Sequence, residues 1–178
     1  PLLDGEVRAG VVTDQRSLFG GISAEGGIGD IKIYNSRAQF IIQAPGNSSY
    51  YVGYGGSVID ADMVRGDDEI GQDLIDDGSL MVGLGRMFEA ERVTVINDGT
   101  DGSAAVVRAR GGVAPLTILT GTLEAEGLIQ PREVDVTIDY TLEADSSLLR
   151  IESTVVWKGE QTPVQLSDMI FYSGEAAD

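Results

Sequence analysis

The sequence contains no histidine and no cysteine. Without cysteine, the chain can form no disulfide and offers no thiolate nucleophile or thiolate zinc ligand. Without histidine, it lacks the side chain whose ordinary pKa suits proton transfer near neutral pH. Ser–His–Asp and Cys–His catalytic arrangements are therefore excluded from this chain. Both absences favour a non-enzymatic role.

Positive charge and long apolar runs are also scarce. Only Lys32 and Lys158 are lysines, and 29 acidic residues against 12 basic ones give a formal net charge of −17. Nucleic acids are bound through clustered Lys and Arg, so a surface of this charge repels them. No apolar run approaches the roughly 18 residues of a membrane helix. The sequence thus predicts neither nucleic-acid binding nor membrane insertion.

The composition that remains is that of a globular β-protein. The chain has 178 residues, of which 42% are hydrophobic and 24 are glycine. This length predicts a single domain over residues 1–172, with residues 173–178 as a tail or the start of a linker. Abundant glycine beside Val, Ile and Thr predicts short strands joined by tight turns. The glycines of "GYGGS" (53–57) predict close approach of strands, because no lysine follows them to hold a phosphate.

Alternation of apolar and polar residues predicts several strands. "GDIKIYNSRAQFIIQ" predicts a hairpin with strands at about 30–34 and 37–43, because Asn35 tolerates the left-handed conformation of a two-residue turn. A second hairpin is predicted around "NDGTDG" (97–102). Residues 134–142 alternate most strictly, which predicts a half-buried antiparallel strand. Two more strands are predicted within 148–157 and 162–172, and Trp157 is predicted to lie in the core.

Helix signals are weak by comparison. "DDEIGQDLIDDG" (67–78) could form one short helix, since acids favour a first turn and Gly78 could end it. Roughly ten strands with regularly spaced turns predict an all-β, mainly antiparallel β-sandwich with at most one or two short helices. Unpaired edges of such sheets would invite pairing with another chain.

Several stretches carry a family resemblance: "VRAGVVTDQRSLFGG", "GDIKIYNSRAQFIIQAPG", "GYGGSVIDADMVR", "VTVINDGTDGSAAVVRARG" and the segment Tyr140–Asp168. Together they resemble a poorly characterised N-terminal β-domain of large exported bacterial multidomain proteins. The second half, with "YTLEADSSLLRIESTVVWKG", is similar to the galactose-mutarotase-like supersandwich. The first resemblance implies a secreted or cell-envelope location beside other domains. Mutarotases use histidines that this chain lacks, so the second implies a scaffold without that chemistry.

The acidic run between Asp60 and Asp77 is the first candidate site. It holds eight carboxylates with only Arg65 to balance them. Calcium prefers six to eight oxygen ligands, several of them from carboxylates, although Val64 and Gly66 break the EF-hand spacing. A solvated acidic loop is the favoured interpretation; a calcium site and a catalytic carboxylate pair are the alternatives. The candidate calcium ligands are Asp60, Asp62, Asp67, Asp68, Glu69 and Asp73.

A cluster of tyrosines beside amides is the second candidate site. Tyr50, Tyr51 and Tyr54 lie close to Asn47, and sugar-binding surfaces stack aromatic rings on a sugar and hydrogen-bond its edge. Packing over a sheet end is the structural alternative for these tyrosines. The oxygen donors of "NDGTDG" could likewise hold a metal, but a hairpin turn is the favoured interpretation.

The sequence therefore favours a non-enzymatic structural or interaction domain of an exported or envelope-associated bacterial protein. Its expected partners are other domains or subunits of a larger assembly, and no cofactor is expected unless calcium binds. A carbohydrate-binding module, with or without calcium, is the alternative. A polysaccharide-active enzyme that works through carboxylates is the third hypothesis.

Overall fold

The computed structural model describes residues 2–46, 52–66, 71–83, 85–116, 133–159 and 163–172. Within them the chain is all-β, with ten strands in one antiparallel sheet, and this confirms the predicted fold class. The described residues contain one 3-10 turn, Gln15–Ser17, and no helix long and apolar enough to cross a membrane. The strands are β1 Val7–Val11, β2 Ile31–Asn35, β3 Ala38–Ile42, β4 Val58–Met63, β5 Ile75–Val82, β6 Arg86–Asn97, β7 Ala105–Pro115, β8 Val134–Leu142, β9 Leu149–Trp157 and β10 Leu166–Tyr172.

The sheet follows chain order and folds on itself at β5. Strands β1 to β9 are neighbours in sequence order, while β10 returns to pair with β5. A single residue pair joins β5 to β4, Gly78 to Val58, and a single pair joins β5 to β6, Met81 to Met87. Strands β1 and β2 lie against β6 and β7, so the two halves of the sheet face each other. One apolar core lies between them, as in a sandwich.

Strand β8 shows how the sequence builds this core. Its alternating apolar residues are all buried, as the strict period of two predicts. The opposite residues carry the polar face, where Asp139 forms an ion pair of 2.6 Å with Arg108 of β7. Burial of this kind contributes about 1.5–3 kcal/mol per large apolar side chain. The buried residues of β8 are Val134, Val136, Ile138, Tyr140 and Leu142.

Tyr140 also fixes the glycine-rich segment over the core. Its hydroxyl donates a 2.6 Å hydrogen bond to the carbonyl oxygen of Gly56. Gly56 has a φ of 91°, and a Cβ there would lie too close to Phe88 and Ala90. The glycine is therefore required by both its backbone conformation and the close packing, as the sequence predicts.

We expect Tyr140→Phe to destabilise the protein by about 2 kcal/mol, because the carbonyl of Gly56 then loses its partner in the core. Tyr54→Phe is the matched control, since the Tyr54 hydroxyl also donates to a backbone carbonyl, that of Pro115 at 2.7 Å, but is only half-buried. It should cost less than about 1 kcal/mol. Urea denaturation measures both, and equal losses would contradict the assigned role of Tyr140.

The first predicted hairpin is confirmed, but its asparagine acts differently from the prediction. No described residue other than glycine has a positive φ. Instead, the buried Asn35 side chain accepts hydrogen bonds from the backbone N–H groups of Arg37 and Ala38 at 2.8 and 2.9 Å. Its amide donates to the carbonyl oxygens of Glu143 and Ser146 at 2.9 and 2.6 Å. Asn35 thus joins the β2–β3 turn to the β8–β9 turn.

The predicted short helix at 67–78 is wrong where the structure describes it. Residues from Ile75 onward form β5 instead, which pairs with β10 from Leu166 to Tyr172. Pairing with a distant strand satisfies the backbone and overrides the local preference of acidic residues for a helix start. The predicted core position of Trp157 is only partly met, because Trp157 packs against the core at half-burial.

Candidate functional site

Four acids of the acidic run are buried rather than solvated, and three of them are fully enclosed. Asp60, Asp73 and Asp77 are each 0% exposed, and we call them the buried acids. The carboxylate of Asp60 accepts hydrogen bonds from the backbone N–H groups of Glu25 and Gly26 at 2.8 and 2.9 Å. The favoured prediction of a solvated loop is therefore wrong for these residues. The reason is that backbone N–H groups distant in sequence donate hydrogen bonds to the carboxylate of Asp60.

Asp73 is also buried and also accepts hydrogen bonds from the backbone. Its Oδ1 accepts from the N–H groups of Ala61 at 2.8 Å and Ile75 at 3.3 Å, while its Oδ2 has no hydrogen-bond partner. Burial raises the pKa of Asp73 to about 7, with the charge of Asp60 adding to the rise. Burial likewise raises the pKa of Asp60, and the charge of Asp30 adds to that rise. Of the three buried acids, Asp73 has the pKa that lies nearest to neutral pH.

Asp77 is the third buried acid. Its Oδ2 accepts from the backbone N–H of Val52 at 3.1 Å, and its Oδ1 has no partner. Burial raises the pKa of Asp77 to about 6, and the neighbouring charge of Asp76 adds to this. Like Asp60 and Asp73, this carboxylate is enclosed by the fold and accepts a hydrogen bond from the backbone.

Asp62 is the counter-example in the same run. Its side chain is also nearly buried, which opposes ionisation. However, Arg65 donates to both of its carboxylate oxygens at 2.9 to 3.3 Å, and the N–H of Gln72 donates at 2.9 Å. These hydrogen bonds outweigh burial and hold the pKa of Asp62 below its usual value. The pKa values of this run therefore depend on the balance between burial and hydrogen-bond donors at each carboxylate.

The structure brings together only part of the predicted calcium site. Asp60, Asp62 and Asp73 are described, whereas Asp67, Asp68 and Glu69 lie outside the described residues. Within the part of the chain that is described, no group of three or more acidic residues is arranged to hold a metal ion. The calcium hypothesis, which needs all six ligands, stays a prediction.

The tyrosine cluster is likewise described only in part. Asn47, Tyr50 and Tyr51 fall outside the described residues. Tyr54 is half-buried; it donates its hydroxyl to Pro115 and packs against a small apolar cluster that includes Met87. Its contacts are those of a packed tyrosine, and the carbohydrate patch stays a prediction.

The "NDGTDG" segment is the turn between β6 and β7, as predicted. Asn97 accepts from the N–H of Gly99 at 2.8 Å, and Asp98 accepts from that of Thr100 at 2.9 Å. Asp101 accepts from the N–H of Ser103 at 3.0 Å. These side-chain oxygens cap their own backbone, which is the usual reason for Asn and Asp in turns.

An apolar cleft opens between β9 and β10, and we call it the β9–β10 cleft. Its volume is about 310 Å³, and it reaches from the surface down to the core. One wall comes from β9 and the other from β10, with side chains of β3, β4, β5 and β8 beneath. Its principal lining residues are Phe40, Val58, Leu80, Ile138, Tyr140, Leu149, Ile151, Asp168, Met169 and Ile170.

Both walls of the cleft are open strand edges. Among the described residues, β9 pairs only with β8 and β10 only with β5. Apolar side chains lie exposed along the cleft: Leu148 is 77% exposed, Ile151 49% and Ile170 54%. Asp168 contributes a carboxylate to the lining and forms no ion pair with a described residue. The cleft thus combines apolar side chains, unpaired backbone and one negative charge.

The local sequence did not predict this cleft. Alternation within β9 indicates which face of the strand is apolar but not what covers that face, and nothing in the described chain covers Ile151.

Comparison with known proteins adds no relative. No family model, no curated protein and no solved structure matches this chain.

Proposed function

We propose that this chain is a non-enzymatic structural and interaction domain that docks another polypeptide segment at the β9–β10 cleft. One observation carries the proposal: an apolar cleft of about 310 Å³ opens to solvent between two strand edges that are unpaired in the described chain. Exposed apolar surface next to open edges is typical of protein–protein contact, because covering it removes apolar area from water and satisfies the backbone.

The buried acids support a scaffold role. They receive backbone N–H groups from a distant loop and from neighbouring strands, so their carboxylates connect parts of the fold. The full sequence offers no histidine or cysteine to serve as a general base or nucleophile at neutral pH. These features favour docking over catalysis.

The biological setting belongs to the same proposal. The resemblance to N-terminal β-domains of exported bacterial proteins, the lack of cysteine and the net charge of −17 support a secreted or envelope-associated parent protein. In such a protein, the partner at the cleft is another domain or subunit of the assembly.

Photocrosslinking in the bacterium that makes the parent protein tests the docking proposal. A benzoylphenylalanine at position 151 or 170 is expected to crosslink a polypeptide, because Ile151 and Ile170 line the cleft. The same probe at Ile96 is the matched control, since Ile96 is also about half exposed, at 54%, but lies on β6 outside the cleft lining. Equal yields at all three positions, or no polypeptide adduct at 151 and 170, would overturn docking at the cleft.

A further inference from the structure

We propose that the occupant of the β9–β10 cleft is an extended segment of a partner protein, which adds as a β-strand along β9 or β10. The segment has alternating apolar side chains and at least one Lys or Arg. This inference rests on the proposed docking function and specifies the chemistry of the partner.

In the described chain, the open edges of β9 and β10 carry backbone groups without a strand partner. Every second residue of an edge strand directs its N–H and C=O away from its paired neighbour. In the described chain this applies to β9 opposite β8 and to β10 opposite β5, and the two strands face a common cleft. A polypeptide in extended conformation supplies matching donors and acceptors at the strand repeat, which is the basis of strand addition to sheet edges.

The floor of the cleft is apolar. Ile138 and Tyr140 of β8 and Leu80 of β5 lie beneath the cleft, and Ile151 and Ile170 flank it. Side chains of a strand alternate in direction, so one face of an added strand would cover this floor while the other stays in water. An alternating apolar and polar segment meets both conditions.

The charge of Asp168 and the net charge of the whole chain favour a partner with basic residues. Asp168 lies in the cleft lining, and its charge adds to burial in raising the pKa of Tyr140. No described residue pairs with this carboxylate, so a Lys or Arg of the partner would provide its counter-charge. A second copy of this chain also carries a charge of −17, and the repulsion between copies disfavours self-association.

A ligand without a backbone fits less of the cleft. A fatty acyl chain would cover the apolar floor, but it has no N–H donors for strand edges. It would also bring a carboxylate toward Asp168. A peptide strand satisfies the apolar floor, the edges and the charge together, and we therefore infer this class of ligand.

Panning of random linear peptides against the 178-residue chain tests the inference. We expect enriched peptides to alternate apolar and polar residues and to include Lys or Arg. Ile151→Asp and Ile170→Asp should abolish capture, whereas Ile96→Asp, on β6, should not. Melting curves establish that each variant is folded. Three results would overturn strand addition. The selected peptides could bind the cleft variants as well as they bind the wild type, or the selected peptides could be acidic. A fatty acid could also bind while no peptide is selected.

Two further measurements use the best selected peptide and remain informative whatever the effect of the Ile variants on folding. Methylating two edge-facing amides of the peptide should weaken binding about tenfold, because each loses one hydrogen bond. Asp168→Asn should weaken binding of the Lys peptide about two- to five-fold and leave its Lys→Gln analogue unchanged. If crosslinking succeeds at the cleft but methylation has no effect, docking stands and strand addition falls. If neither succeeds, both fall.

Discussion

Asn35→Ala is expected to destabilise the protein by about 4 kcal/mol. The buried Asn35 amide makes four hydrogen bonds that join two turns of the fold. Alanine would leave two backbone N–H groups and two carbonyl oxygens without these partners, each costing on the order of 1 kcal/mol or more. Urea denaturation at neutral pH measures the loss as a change in the free energy of unfolding.

Two variants separate hydrogen bonding from simple truncation. Asn35→Asp keeps the acceptor for Arg37 and Ala38 but loses the donor to Glu143 and Ser146, so it should still be clearly destabilised. Asn97→Ala removes a turn asparagine whose side-chain partners are largely exposed, and it should cost about 1 kcal/mol. A loss of about 1 kcal/mol at Asn35 as well would contradict its role as the link between the turns.

Asp73→Asn is expected to stabilise the protein above about pH 7 by as much as about 4 kcal/mol. The pKa of Asp73 is raised from 3.8 to about 7 by burial. Between these values the unfolded chain ionises first, so the contribution of Asp73 to stability is complete below pH 3.8 and is lost as pH rises toward 7. Asparagine keeps the oxygen that accepts from Ala61 and Ile75 but carries no charge in the folded or the unfolded chain.

The measurement is the melting temperature of wild type and variant across about pH 4 to 8. The two proteins should converge at the acid end and separate as pH rises. The variant still loses some stability as pH rises, because the pKa of Asp77 is also raised, to about 6. Asp62→Asn is the control of opposite sign: its lowered pKa means that its contribution is present above 3.8 and lost in acid. Parallel curves for wild type and Asp73→Asn would contradict the assignment.

The strands could be predicted from the sequence because they depend on local alternation. Strand β8 alternates over nine residues, and each apolar side chain in it is buried. The β2–β3 hairpin was placed within a residue at each end. Periods of two reveal which face is apolar, and burial of that face follows from the hydrophobic effect.

The buried acids could not be predicted in the same way. A carboxylate in a glycine-rich run is ordinarily solvated, and the donors that enclose Asp60 come from Glu25 and Gly26, more than thirty residues earlier. The strand identity of residues 75–82 depends similarly on β10, which lies near the other end of the described chain. The burial of Asp60 and the strand conformation of residues 75–82 both depend on long-range partners, which no local sequence pattern indicates.

The late return of β10 has a kinetic consequence. Strands β1 to β9 pair with their neighbours in sequence, so each of these pairings closes a shorter loop than a pairing across several strands. Strand β10 must instead find β5 across the intervening strands β6 to β9, which is the slowest kind of contact to form. Because β10 supplies one wall, the β9–β10 cleft is complete only once this long-range pairing has formed.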